Sequence, residues 1–262
     1  EVEKIVEVEK IVEVEITPTP EPVDERGTLR FADEIEMGGK ETLNPATETR
    51  WQPPIWWVYD KLVTFDADGG LLPRLAVSWE VDETAQRWVF ELRQGVVFHD
   101  GKPFTSADVA YTFENIFADQ EDSLVADNLD MIDPEQIETP DEHTVVFNLK
   151  RPFVDLPLLL ADYRLGIIGE GSLPNIDENP NGTGPFKLVK RDVYGTSVFA
   201  AHDDYWDGKP LVAAIEFVGI ADAQARTQAV LAGQTDLTLQ LTVEEAGLFE
   251  QDPDLRVIQV PT

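Results

Sequence analysis

The chain has no cysteine among its 262 residues, so disulfides, thiolate metal sites and cysteine nucleophiles are excluded. Histidine is nearly as scarce. His99, His143 and His202 are far apart in sequence and none has a partner at ligand spacing, whereas a zinc site needs three or four converging ligands. We expect them to be ordinary surface or turn histidines. Basic residues are few as well: 20 Lys and Arg stand against 51 Asp and Glu, a formal net charge of -31. A surface of that sign repels phosphate backbones, which argues against a nucleic-acid partner, and it reads first as a solubility device. No run of 18 apolar residues occurs, so the sequence holds no candidate transmembrane helix. The longest apolar stretch, residues 156–168, is broken by Pro157, Asp162, Tyr163 and Arg164.

Catalytic and cofactor patterns are missing too. There is no Gly-x-Ser-x-Gly elbow, and nothing in their spacing selects a pair among the many carboxylates. Gly182-Thr-Gly184 is followed by Pro185 rather than by the helix a phosphate loop needs, so we read it as a turn. Asp66 and Asp68 precede Gly69 too closely for an EF-hand loop, which leaves a hairpin turn. The sequence therefore points away from an enzyme and implies no metal or cofactor.

What is present is a core-forming chain with 42% hydrophobic residues. Residues 1–27 stand apart from it. EKIVEV at residues 3–8 recurs at 9–14 and leads into a Thr-Pro spacer, and the first 26 residues hold nine acidic and three basic side chains. We read this segment as a self-repelling, solvated tether. The folded part starts at Thr28 with a short β-prone run. Trp88, Phe90 and Leu92 alternate with Val89 and Glu91, as a half-buried strand does, and Val145, Phe147 and Leu149 repeat the pattern. Thr105-Ser-Ala-Asp108 fits a capping box, followed by an apolar stripe at Val109, Ala110, Phe113, Ile116 and Phe117. Further on, strand candidates at 215–220 and 236–241 flank a helix over 222–232 that Gly233 would end. That is a βαβ pattern, so part of the sheet should be parallel. Thr242 opens another short helix, and 255–260 reads as one more strand. Together these make a mixed α/β fold. The aromatic residues Trp51, Trp56, Trp57 and Tyr59 follow an irregular stretch over 43–54. The last three either seat a helix or loop on the core or line a ligand wall, and Trp51 lies in the loop itself.

Several blocks occur in a characteristic order: Leu43-Asn-Pro45, YDKL from Tyr59, LPRLAVSWE over 72–80, FELRQGVVFHDGKPFTSADVAYTFE over 90–114, NGTGPFKL over 181–188 and ARTQAVLAGQTDL over 225–237. In order and spacing they resemble the large solute-binding proteins of ABC importers, the oligopeptide, dipeptide and nickel type (family 5). The resemblance covers almost everything from Gly27 to Thr262. It implies a type II periplasmic-binding-protein-like lobe I made of 28–52 and 176–262, with 53–175 as an inserted subdomain and the second lobe missing. Members continue past the position of Thr262, so half of a two-lobed clamp is expected here, and a chain whose start follows a removed leader or lies inside a longer protein. The implied activity is capture of a solute, peptides being the leading class, and its delivery to an ABC permease outside the cytoplasmic membrane, by a protein that is monomeric at full length. Similar Val-Glu-Lys repeats with Thr-Pro spacers tether surface lipoproteins of this family, there behind a lipid-bearing Cys that this chain lacks. A non-transport surface scaffold or sensor using the same fold is the alternative. Carried over, the loop after the first strand supplies Glu48, Thr49 and Trp51 as ligand contacts. Trp51 would be a stacking wall and the other two would give hydrogen bonds or charge, with Tyr163 as a further contact.

Overall fold

The computed structural model describes residues 26–34, 42–47, 53–118, 123–192 and 194–258. The repeat-bearing first 25 residues lie outside them. The fold is mixed α/β, built on two main sheets with a core beneath each. The chain enters through β1 (Thr28–Asp33) and reaches α1 (Pro53–Val58), a short helix that starts on two prolines, which are tolerated there because first-turn amides lack helical partners. A small hairpin follows, β2 (Val63–Phe65) with β3 (Leu71–Pro73). Its turn is the expected one: the Asp66 carboxylate accepts from the amides of Asp68 and Gly70 at 2.8 and 2.7 Å.

The next stretch builds a four-stranded antiparallel sheet in the order β4 (Ala76–Val81), β5 (Arg87–Leu92), β7 (Thr144–Leu149), β6 (Ile132–Asp141). Trp88, Phe90 and Leu92 face inward from β5, as their alternation predicts, and Val145, Phe147 and Leu149 do so from β7. α2 (Ser106–Ala118) closes this core with Val109, Phe113 and Ile116, and the rings of Phe113 and Phe147 meet edge to face at 5.0 Å. Half of the expected capping box is formed: the Asp108 carboxylate accepts from the Thr105 amide at 2.9 Å and its hydroxyl at 3.1 Å. The other carboxylate oxygen takes the Glu170 amide at 2.9 Å, tying a distant loop to the helix start.

After α3 (Leu156–Leu160) the chain builds β8 (Phe186–Lys190), β9 (Thr196–Ala201), β10 (Ala214–Gly219), α4 (Ala223–Leu231), β11 (Leu237–Thr238) and α5 (Val243–Phe249). The second main sheet has the order β11-β1-β10-β9-β8. β10 and β11 both run parallel to β1, which lies between them, so the β10–α4–β11 unit straddles the first strand. The helix signals hold. Asp222 caps α4 through the Ala225 amide, Gly233 ends it in the left-handed region at φ 66°, and Thr242 and Glu245 form a full capping box on α5. The strand expected at 255–260 does not form over 255–258, where no ladder partner exists among the described residues; the remainder lies outside them.

α1 joins the second core. Trp57 sits edge-on to Phe31, Phe199 and Phe217 at 5.4–5.8 Å, so this tryptophan seats the helix on the sheet, as the core reading of the aromatic cluster expects. The Gly182–Gly184 turn runs tightly against the end of α1. The Gly184 amide donates to the Val58 carbonyl at 2.9 Å, and the Gly182 carbonyl accepts from the His99 amide at 3.0 Å. One turn thus binds α1 and the four-stranded unit together. No helix among the described residues is long and apolar enough to cross a membrane.

Candidate functional site

In open α/β sheets, ligand crevices lie beyond the carboxyl ends of parallel strands, where neighbouring connections diverge. Here those ends belong to β1, β10 and β11. Their rim is well braced. The Ile220 amide donates to the Asp33 carbonyl at 2.9 Å. Buried Arg226 donates to the carbonyls of Ile220 and Ala221 at 2.8 and 3.1 Å, and Thr227 links α4 to Glu245 of α5 at 2.9 Å. Gln240, beyond β11, holds a left-handed backbone at φ 58°, a conformation that costs a non-glycine residue energy and that its surroundings must enforce.

Three of the sequence-predicted contacts, Glu48, Thr49 and Trp51, lie outside the described residues. The turn just before them is well fixed. The Leu43 amide and Thr42 hydroxyl donate to the Asp177 carboxylate at 2.6 and 2.9 Å, and the Asn44 side chain accepts the Ala46 amide at 3.1 Å. Beneath this turn lies a cavity of about 30 Å³, lined by Asn44, Thr47, Asn115, Ser123 and Arg164 among others, which is room for one water. Arg164 grips Asp162 with two hydrogen bonds of 3.0 and 2.7 Å. Burial opposes ionisation of Asp162, but those bonds win and hold its carboxyl below the usual range.

The chain changes sides at this point. Arg164 faces the small cavity, whereas Asp162 and Tyr163 line a larger cleft of about 570 Å³. Tyr163 stands edge-on to Trp56 with ring centres 6.4 Å apart, and Lys61, Arg74 and Phe65 complete much of the wall. At its base Asp60 is 5% exposed and accepts four bonds. They come from Arg74 at 2.9 Å, Tyr205 at 3.1 Å, Trp206 at 2.8 Å and Thr183 at 3.2 Å. Arg74 and Arg93 also lie over the Trp206 ring at 4.6 and 4.2 Å. Neither Arg164 nor this hub is visible to periodicity or motif. Trp206 is 146 residues from Asp60, and only folding brings them together.

The histidines lie in or at the start of turns, as expected, but two of them are packed rather than exposed. His99 and His202 are not surface residues: their rings meet edge to face at 5.0 Å, and each donates a ring N–H to the Gly184 carbonyl, at 3.0 and 3.2 Å. The reason is that the glycine turn between the two sheets exposes a carbonyl that two converging loops must cover. His143 sits in the turn between β6 and β7. Burial lowers the His99 pKa to about 4, and the neighbouring His202 and Lys187 push the same way. A base whose folded pKa lies below its ordinary value near 6.5 destabilises the fold as pH falls between the two, because the unfolded chain takes up the proton first. Stability should therefore be full above about pH 6.5 and fall by on the order of 2 kcal/mol by about pH 4. Urea denaturation at several pH values tests this. His99→Gln should flatten that interval, and an unchanged slope in the variant would rule His99 out as its source. Among the described residues no cluster of three or more His, Cys, Asp or Glu is placed to hold a metal ion.

A sequence model of bacterial extracellular solute-binding proteins, family 5 (middle region), matches residues 70–262. A curated relative, Di/tripeptide-binding protein 2 of Pseudomonas aeruginosa, is 30% identical over 227 residues; the match covers 77% of this chain and 43% of the relative. Among solved structures, the binding protein AgaA of A. tumefaciens R10, in complex with agropinic acid, superposes with TM-score 0.77 at 31% identity, covering 87% of this chain and 46% of that one. The periplasmic binding protein DppA of Helicobacter pylori, in complex with the peptide STSA, gives TM-score 0.75 at 25% identity over 87% of this chain and 49% of its own. The chain thus spans less than half the length of these proteins, and they are solute-binding proteins rather than enzymes. With a family match over most of its length and the same fold beneath it, this chain belongs to the bacterial extracellular solute-binding proteins of family 5.

Proposed function

We propose that this chain forms one wall of an extracytoplasmic solute receptor that delivers its cargo to an ABC permease, with short peptides as the cargo. The observation that carries the reading is the superposition on ligand-holding family members over 87% of the chain. The braced carboxyl ends of β1, β10 and β11 fit it, since that is where an α/β sheet offers a crevice. In this reading residues 28–52 and 176–262 form the lobe bearing that crevice and 53–175 form its subdomain. Glu48, Thr49 and Trp51 contact the solute from the loop after β1, and Tyr163 does so from the segment leaving the subdomain. The acidic repeat and Thr-Pro segment of residues 1–27 act as a tether to the cell surface. Peptide is preferred over the other classes because the relative at 30% identity is named for di- and tripeptides.

The test is a thermal-shift screen of the gene's full-length product with a tripeptide series, an opine and a nickel–histidine chelate. A ligand at 100 times its Kd stabilises the native state by about 2.7 kcal/mol, enough to move the melting point by several degrees. We expect that shift with tripeptides. A shift with the opine or chelate alone would remove the peptide assignment, and no shift with any of them would remove the receptor reading.

A further inference from the structure

The cleft beside Lys61 has features that the solute crevice does not explain. In a chain with 51 acidic side chains, Arg30, Arg74, Arg164 and Arg191 all contact an aspartate. Lys61 does not: among the described residues no carboxylate oxygen lies within ion-pair distance of its ammonium, whose hydrogen bond goes to the Ala161 carbonyl at 2.8 Å. That bond caps the end of α3 and uses one of three N–H donors. The two carboxylates in the cleft are already engaged, Asp60 by its four donors and Asp162 by Arg164. Asp60 and Asp162 are thus each held by an arginine at hydrogen-bond distance and act on Lys61 only through space, so neither takes up its remaining donors. Burial pulls the Lys61 pKa down and the Arg74 charge adds to this, while Asp162 and Asp60 pull the other way without reversing it. Around the ammonium the walls are aromatic: Trp56 and Tyr163 edge to face, Tyr59 at the base, and Phe65, 46% exposed, at the rim. A volume of about 570 Å³ lies in the range of small-molecule pockets, which combine apolar walls with a few orienting polar groups.

We propose that this cleft is a second binding site, for a small carboxylate with an aromatic body, received by Lys61 and walled by Trp56 and Tyr163. It is separate from the cavity beneath the 44–47 turn, which opens on the Arg164 side of the same segment, and it stands whether or not the protein carries peptides. The carboxylate would take the donors that Ala161 leaves free, and the ring would lie against the aromatic edges.

Phenylacetate is the probe, with phenylacetamide as its uncharged isostere, followed by NMR of the tryptophan indoles in the whole chain. We expect saturable phenylacetate binding with Kd on the order of 0.1 mM, at least about tenfold tighter than the amide, because a charge-assisted hydrogen bond is lost in the latter. The Lys61 side-chain resonance should titrate at higher pH when the probe is bound. Lys61→Met, which keeps the stem, should bind acid and amide alike. Equal affinity of the unaltered protein for both probes, or no saturable shift, overturns the proposal without reference to any variant. If Lys61→Met unfolds through loss of the helix cap, the acid–amide comparison on the unaltered chain still decides. Tyr163 belongs to both readings, so the two are separated at Lys61: Lys61→Met should erase the acid–amide difference and leave tripeptide binding unchanged, which makes failure of the receptor reading and failure of this one separately visible.

Discussion

Gly182→Ala is expected to be among the most damaging single substitutions in this chain. A Cβ built at Gly182 would sit 2.0 Å from the Val58 carbonyl oxygen and 2.7 Å from the Tyr59 ring. The first obstacle is backbone at the end of α1 and has no rotamer to change. Relief requires the turn to leave α1, which breaks the bond from the Gly184 amide to Val58 and uncovers the Gly184 carbonyl shared by the two histidines. Overpacking of this kind costs about 3 kcal/mol or more when the surroundings cannot yield. For a chain of this size that corresponds to a drop in Tm of roughly 6–12 °C. Gly247 is the matched control. It lies within α5, and apart from its own helix no atom stands within 4 Å of the place an added Cβ would take, so Gly247→Ala should be neutral or slightly stabilising. A Gly182→Ala melt within about 2 °C of the parent would mean that the turn is looser than the packing implies.

The second large effect is expected at Asp60. Its carboxylate accepts from Arg74, Tyr205, Trp206 and Thr183, and every partner is a donor. Asp60→Asn keeps the shape but presents an NH2 group to half of them, whichever way the amide is turned. It also leaves Arg74 facing the interior with only exposed Asp207 as a charge partner, at 2.8 Å. Removing one member of a buried, hydrogen-bonded ion pair costs about 3–5 kcal/mol. The loss should appear in chemical denaturation and as a changed Trp206 emission, since that indole donates directly to Asp60. Stability unchanged in Asp60→Asn would show that the network forms without being needed. Because the hub joins the segment after α1, the start of β4 and the 202–207 loop, the same variant should loosen the larger cleft, which Asp60 and Arg74 help to line.

How much was legible in the sequence depends on how far apart the interacting residues lie. Local signals were reliable where a side chain answers to its neighbours in the chain. Alternation over 88–92 gave a half-buried strand, Asp222 and Gly233 bounded α4, and the Thr242 box was fully formed. The 255–258 stretch failed because a strand needs a partner, and alternation alone does not supply one. The burial of two histidines was missed for a related reason. Each looked like a turn residue beside an aspartate, and nothing local shows that two loops 103 positions apart close on one carbonyl. The candidate site divides in the same way. The order of blocks along the chain carried the family, while the sidedness of the 162–164 segment could not be read from it: adjacent residues there serve different cavities, and which one each faces is set by packing against α1 and α2.

By itself, then, the amino-acid sequence determined the α/β class, the caps that start α2 and α5 and bound α4, the absence of thiol chemistry and the solute-binding family, because propensity, capping, composition and block order are properties of the chain as written. Only the tertiary structure decided that β10 and β11 flank β1, that Asp60 gathers donors from segments up to 146 residues away, and that Lys61 stands in a partly aromatic cleft with its hydrogen bond to a carbonyl and no carboxylate within ion-pair distance among the described residues. Those features arise from contacts between distant segments, where burial strengthens each electrostatic term and penalises each unpaired group, and neither effect exists until the chain has folded.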